Sequence, residues 1–343
     1  MGGREESGAP GRDDNRMKAL VYDQYGKHEV LRVEEVDIPL PREGEVLIAV
    51  RAAAVNSWDW DLLRGRPYLT RLGAFRKPRH RVLGADIAGV VAAVGSSSSV
   101  FRPGDEVFGD LSGCEWGGFA EYARAKEAAL TPKPDGASFA EAAAIPQAAV
   151  LALQGLRDSG KLANGHRVLI NGAGGGVGTF AIQYAKLQGA EVTGVDAADK
   201  LELLRSVGAD YALDYKLDDF TAALGRYDLI LDVVGTRSAL RIKRALSPGG
   251  TYVMIGGTAP RLLQTLLLGP IVRLLEKKKL TILIHKPNHG DQLIWKELVE
   301  AGKAKPVIDR QFALDEGAEA LRYFGEGGVR GKIIVRIGEF EYS

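Results

Sequence analysis

Cysteine is nearly missing: Cys114 is the single thiol in 343 residues. It has no partner for an internal disulfide and cannot build a cysteine-rich zinc site, so a reducing, cytoplasmic setting is expected. Net charge is nearly missing too. Lys and Arg number 45 against 44 Asp and Glu, for a balance of +1. No large field is available to gather nucleic acid or an anionic bilayer, and neither is expected as a partner. Long apolar runs are also lacking. The greasiest window, residues 262–275, holds Pro270 and Arg273 and falls short of the about 20 apolar residues of a membrane-spanning helix. We expect it to pack inside or between subunits, with a homodimer as the assembly. The histidines are scattered. Only His285 and His289 have an i, i+4 spacing, and Pro287 interrupts it, so no metal site is expected there.

What is present is an ordinary globular composition, 45% hydrophobic and 26% charged, long enough for two domains. Residues 1–16 read as a disordered tail, rich in glycine and in charges of both signs, with no signal-peptide pattern. Residues 17–145 show short β-rich runs separated by Gly, Pro and Ser clusters, the pattern of an all-β module. Texture changes near Ser138. Residues 139–155 read as one alanine-rich helix, and apolar strands then alternate with helical stretches through residues 146–285. Five strands are expected there, at 167–171, 191–195, 211–213, 227–232 and 251–255. Their continuous apolar character suits a doubly wound α/β parallel sheet covered on both faces. Residues 286–343 show two helical segments, 291–302 and 315–325, and a last strand at 332–337 that returns to the first module.

Between the first strand of that series and its helix lies the run RVLINGAGGGVGT, at 167–179. A backbone turning tightly at such a place can approach a pyrophosphate, with the helix N-terminus supplying free N–H donors and partial positive charge. Gly174, Gly175, Gly176, Val177 and Gly178 are the expected phosphate-binding residues. The full G-x-G-x-x-G pattern is missing, because Ala173 holds its first position; placement between strand and helix outweighs that departure. Asp196 ends the second strand at the spacing of a carboxylate that accepts from the adenosine ribose 2′-hydroxyl, which favours NADH. Lys200 and Tyr215 are the residue types that hold a 2′-phosphate, which favours NADPH. The coenzyme is therefore expected to be NADPH or NADH, with the choice open.

These residues, together with four further motifs, resemble the medium-chain dehydrogenase/reductase superfamily, and specifically its zinc-free, quinone-oxidoreductase-like branch. The motifs are AAVN at 53–56, VLGAD at 82–86, PGDEVFG at 103–109 and GGFAEY at 117–122, with GAD at 208–210 in support. The resemblance runs over the chain from Met17 onward. It implies a Rossmann domain joined to a GroES-like β-rich catalytic domain built from both chain ends, with the coenzyme in the cleft between them. Zinc-dependent relatives carry cysteine where Asn56 stands and histidine where Ala85 stands, so the resemblance implies no zinc. It places Asn56 beside the nicotinamide and adds Ile255, Gly256, Gly257, Asn288 and Lys332 as residues that approach the coenzyme. Gln147 stands where the family often has leucine, and can place an amide in the substrate cleft.

The implied chemistry is hydride delivery to a small-molecule electrophile, a quinone, enone or carbonyl compound, with the protein supplying binding and orientation. Asn56 and Asp59 are the catalytic candidates. Trp58 and Trp60 are candidates for an aromatic wall. A carbonyl reductase or alcohol dehydrogenase without zinc, and a dinucleotide-binding protein without catalysis, are the alternatives. No residue is identified as the proton donor.

Overall fold

A computed structural model describes residues 15–97 and 99–338. The expected tail therefore lies outside the described residues except for Asn15 and Arg16, and Arg16 opens the first strand. Strands β1 (Arg16–Val21) and β2 (Arg32–Asp37) form an antiparallel pair. The strands β3 (Glu45–Ala54), β4 (Asp86–Val94), β5 (Glu106–Asp110), β6 (Tyr122–Lys126) and β7 (Leu130–Pro132) follow, with helix α1 (Ser57–Arg64) between β3 and β4. β3 is buried along most of its length because it is the hub of this sheet, pairing with both β4 and β6.

The expected helix at 139–155 is not continuous. It divides into α2 (Phe139–Ala143) and α3 (Pro146–Leu153), and then winds into a π-helical turn at Gln154–Ser159. Pro146 explains the break: it has no N–H for a helix already under way but suits a first turn, where it now stands.

The parallel sheet comprises β8 (Arg167–Asn171), β9 (Glu191–Asp196), β10 (Tyr211–Asp214), β11 (Tyr227–Asp232), β12 (Leu246–Met254) and β13 (Lys279–Ile282), in the order β10-β9-β8-β11-β12-β13. It is covered by α4 (Gly176–Leu187), α5 (Leu201–Ser206), α6 (Ala239–Ala245) and α7 (Ala259–Glu276). The strand β13 is a sixth member beyond the five expected. Strand order reverses between β8 and β11, the switch point where doubly wound sheets bind ligands beyond their C-terminal ends.

After β13 come α8 (His289–Glu300), β14 (Ile308–Ala313), α9 (Gly317–Glu326) and β15 (Lys332–Arg336). β15 pairs antiparallel with β3 and β14 lies beyond it, so the C-terminal strands complete a seven-stranded sheet begun by the N-terminal ones. The return brings residues 330–332 onto the glycine-rich loop. Gly331 donates its N–H to the Gly174 carbonyl at 2.8 Å and bridges to Gly175. Gly331 has φ +82°, and a Cβ there would meet the Val307 carbonyl at 2.3 Å, so only glycine lets the chain pass. Among the described residues no helix is long and apolar enough to cross a membrane.

Candidate active site

The glycine-rich loop turns from β8 into α4 at the switch point, with Gly175 as the residue before the helix. A Cβ on Gly178 would come within 2.4 Å of the Gly172 carbonyl and 2.5 Å of Ala173, so this glycine permits the helix to start against its own loop. Asn171 and Asp232, register partners at the ends of β8 and β11, are joined by a 2.8 Å hydrogen bond from the Asn171 amide. Asp232 also accepts from Gly235 N–H and the Tyr252 hydroxyl, and thereby braces the floor of the crevice.

Asp196 and Lys200, which pointed to opposite coenzymes in the sequence, are partners in the fold. Lys200 Nζ lies 3.3 Å from Asp196 Oδ1, with both side chains largely buried. The carboxylate also accepts from Gly174 N–H at 2.8 Å and from Ala197 N–H at 2.9 Å. Asp196 thus ties the glycine-rich loop to the Lys200 cation. Tyr215 remains exposed, its ring beside Lys216 and its N–H bonded to the Asp196 carbonyl.

On the facing sheet, Asn56 precedes α1 and Asp59 lies in that helix's first turn. Asp59 is wholly buried and accepts from Asn56 N–H at 2.8 Å and Gly84 N–H at 2.9 Å. Burial outweighs those hydrogen bonds and pushes its carboxyl up to about 7. With both oxygens spent on backbone N–H groups, its geometry is that of a brace for the Asn56 loop. Buried Lys332, from the start of β15, donates to Asn56 Oδ1 and lies 3.3 Å from Asp86 Oδ2. Asp86 accepts Gln147 N–H at 3.1 Å through its other oxygen. Burial pushes Asp86 up to about 6 against the attraction of Lys332. Asn56, Asp86, Gln147 and Lys332 therefore form one cluster drawn from β3–α1, β4, α3 and β15. Asn56 Nδ2 and Gln147 Nε2 are buried there with no partner. Buried donors are almost always satisfied, so a pair of orphans beside a buried cation marks where ligand oxygens fit.

Other expected residues lie elsewhere. Asn288 is spent on its own helix: its Oδ1 caps Asp291 N–H at 2.8 Å and its amide donates to Lys286 O and Asp291. Ile255, Gly256 and Gly257 follow β12 at the crevice edge, where Ile255 N–H bonds to the Asp232 carbonyl at 2.8 Å. The two tryptophans do not make a common wall: Trp58 is exposed, whereas Trp60 packs under Arg64 and against Gly325. His289 bonds to Leu130 O and Thr131, and His285 to Asp110, so they share no ligand. The His285–Asp110 contact had no sequence signal.

Residues 42–135 match the family described as Alcohol dehydrogenase GroES-like domain, and residues 207–335 that described as Zinc-binding dehydrogenase. The chain is 34% identical to the 2-methylene-furan-3-one reductase of Solanum lycopersicum, with 94% of this chain and 79% of that one covered. It is also 34% identical to the chloroplastic quinone-oxidoreductase QR1 of Triphysaria versicolor, covering 93% and 98%. The quinone oxidoreductase of Coxiella burnetii has the same fold, with a TM-score of 0.84 at 27% identity over 94% of this chain and all of that one. The chain belongs to the medium-chain dehydrogenase/reductase superfamily, in its quinone-oxidoreductase-like branch, and is an NAD(P)-dependent oxidoreductase. Among the described residues no three His, Cys, Asp or Glu side chains are grouped to hold a metal ion.

Proposed function

We propose that the protein reduces quinones and activated alkenes at the expense of NADPH or NADH, without zinc. The observation that carries the reading is the pair of orphaned amide nitrogens, Asn56 Nδ2 and Gln147 Nε2, beside the Lys332 cation and across from the glycine-rich loop. The reductases and quinone oxidoreductases to which the chain is similar support it.

When bound, the reduced nicotinamide supplies the hydride. The N–H groups of Gly176, Val177 and Gly178 at the α4 N-terminus hold the pyrophosphate, whereas the expected donors Gly174 and Gly175 shape the loop, their N–H groups bonded to Asp196 and to the Gly172 carbonyl. The Asp196–Lys200 pair meets the adenosine ribose, with Tyr215 at its rim, and the backbone of residues 255–257 borders the nicotinamide. Asn56 and Gln147 donate to the coenzyme carboxamide or to the acceptor oxygen. Lys332 faces the negative charge that develops on that oxygen, at a dry place where a fixed cation is effective. Asp59 positions Asn56. Asn288 acts on the site only through the α8 cap.

The deciding experiment follows anaerobic oxidation of NADH and NADPH with quinones, enones and aldehydes, for wild type and Asp196→Ala. Turnover with quinones and enones is expected, insensitive to chelators, in a protein with less than stoichiometric zinc. Reduction of aldehydes alone would replace this reading by that of a carbonyl reductase, and coenzyme binding without turnover by that of a binding protein. If Asp196 orders Lys200 as well as the ribose, its alanine variant loses affinity for NADH and changes the NADH-to-NADPH ratio. Equal losses for both coenzymes would remove Asp196 from coenzyme selection.

The same reading seats a second copy of the chain on α7 and β13. The helix exposes Leu263, Leu266, Leu267, Ile271 and Leu274, and β13 pairs on one side only, with β12. Sedimentation of a dimer at micromolar concentration is expected; a monomer would remove this interface. The single thiol suits a cytoplasmic location, which imaging of a tagged chain checks.

A further inference from the structure

A hydrogen bond joins the two sheets at a point that the reading above does not use. His285 follows β13 of the parallel sheet, and Asp110 ends β5 of the antiparallel one. The imidazole Nε2 lies 2.9 Å from Asp110 Oδ2, and the Asp110 side chain is 1% exposed. Its other oxygen accepts from Ser112 N–H at 2.8 Å. Burial works to raise the Asp110 carboxyl, but the hydrogen bonds from His285 and Ser112 outweigh it and hold the group below its usual range. An ionised carboxylate only accepts, so Nε2 carries the hydrogen. Nδ1 is then the nitrogen without a hydrogen in the neutral ring. It is buried and has no partner.

The segment carrying His285 is pinned on both sides. Leu283 N–H bonds to the Met254 carbonyl at 2.8 Å, immediately before the turn at residues 255–257. Gln154, at the start of the π-helical turn, donates to Lys286 O at 2.8 Å and accepts from Lys286 N–H at 3.2 Å. Asp110 in turn is the register partner of Asp86. The imidazole therefore continues a polar line of Asn56, Lys332, Asp86 and Asp110, and Nδ1 is its third orphaned nitrogen after Asn56 Nδ2 and Gln147 Nε2.

We propose that His285, oriented by Asp110, is the proton donor of the reaction. This rests on the reductase reading. Hydride forms a C–H bond at the β-carbon of an enone, the C=C π electrons move to the oxygen as an enolate, and the imidazolium Nδ1–H supplies the proton that completes the α C–H bond. Two electrons leave the coenzyme, neutral imidazole remains bonded to Asp110, and solvent reprotonates it. A quinone needs this help less, because a hydroquinone oxygen takes its proton readily from water. The charged groups around the imidazole are Asp110 on β5, which it bonds, and then Asp86 on β4 and Lys332 on β15, with Lys286 next in the chain and Asp291 on α8 behind Gln154.

The test compares wild type, His285→Gln and Asp110→Asn with an enone and a quinone across pH. His285→Gln is expected to lower kcat for the enone by about 100-fold, with KM little changed, the basic limb of the pH profile lost, and quinone reduction reduced less than about tenfold, which shows the variant folded. Asp110→Asn is expected to fall between. Independently of turnover, ¹⁵N spectra of histidine-labelled wild type with oxidised coenzyme are expected to show the His285 Nδ1 signal moving when phenol is added as an unreactive oxygen ligand. An enone pH profile unchanged in His285→Gln, or an Nδ1 signal indifferent to phenol, overturns the proposal while leaving quinone reductase activity intact. A wild type inactive with both acceptors instead overturns the reductase reading, and the spectra still decide whether the imidazole faces a ligand.

Discussion

Asp228 of the parallel sheet and the two buried acids near Lys332 are held in opposite ways. In the parallel sheet Asp228, at the start of β11, accepts from the Arg167 backbone and guanidinium and from Ser247. Burial works to raise its carboxyl, but these partners outweigh burial and hold it at about 2. It is a staple between strands, far from neutrality. On the other side of the crevice Asp59 of α1 and Asp86 of β4 are pushed up to about 7 and about 6, chiefly by burial. The first arrangement ties β11 to β8 and β12. The second keeps groups that respond to charge arriving in the crevice, at the end of the sheet where the orphaned amides lie.

The sharpest way to break this contrast is to remove the cation on which the antiparallel sheet depends. Lys332→Met leaves Asp86 buried without its partner and should cost about 3–5 kcal/mol in urea unfolding, with enone reduction lost. Adding Asp86→Asn should restore much of the stability and none of the activity. A single variant that kept full stability would show that the pair is not a structural tie.

A smaller effect is expected on the side of the parallel sheet. Gly178→Ala forces a Cβ against the Gly172 carbonyl and should cost about 1–3 kcal/mol, with coenzyme binding, read by fluorescence titration, weakened at least about tenfold, since the misplaced groups are those we propose to hold the phosphates. Unchanged binding would mean that the loop yields without losing its donors.

Smallest is a difference in pH response, which sharpens the comparison. Asp59 and Asp86 have folded values above their unfolded ones, so their contribution is full below about 4 and is lost as pH rises through about 6 to 7. Asp228 has a folded value below its unfolded one, so its contribution is present above about 4 and is lost as pH falls through about 2. Hydrogen exchange should show β3 and β4 losing protection between pH 5 and 8, and β8 and β11 only under acid. Parallel behaviour of both sheets would remove the contrast.

Local sequence carried much of this. The strands β8 and β11 were legible to the residue because three consecutive apolar residues in each, at 168–170 and 229–231, suit a sheet covered on both faces. The glycine-rich turn into α4 was legible because a tight strand-to-helix turn tolerates few side chains, and Asp196 ends β9 as its spacing implied. The strand β13 was not. Only Leu280 of its four residues is buried, and the strand opens on the last of three consecutive lysines, so its start is not marked by an apolar residue. Asp196 and Lys200 looked like rival signals because sequence shows spacing and not contact; four residues apart, they are an ion pair.

What the sequence by itself determined is the local frame: a glycine-rich strand-to-helix turn in a βαβ series, preceded by a β-rich module. Those are properties of residue type and near-neighbour order. Only the tertiary structure decided which polar groups meet. Asn56 and Lys332 are 276 residues apart, and Asp110 and His285 are 175 apart. Each pair exists because the C-terminal strands return to the first sheet and the segment after β13 crosses the crevice. No local pattern encodes such a contact, since the energy that secures it comes from burial of the whole fold rather than from either residue's neighbours.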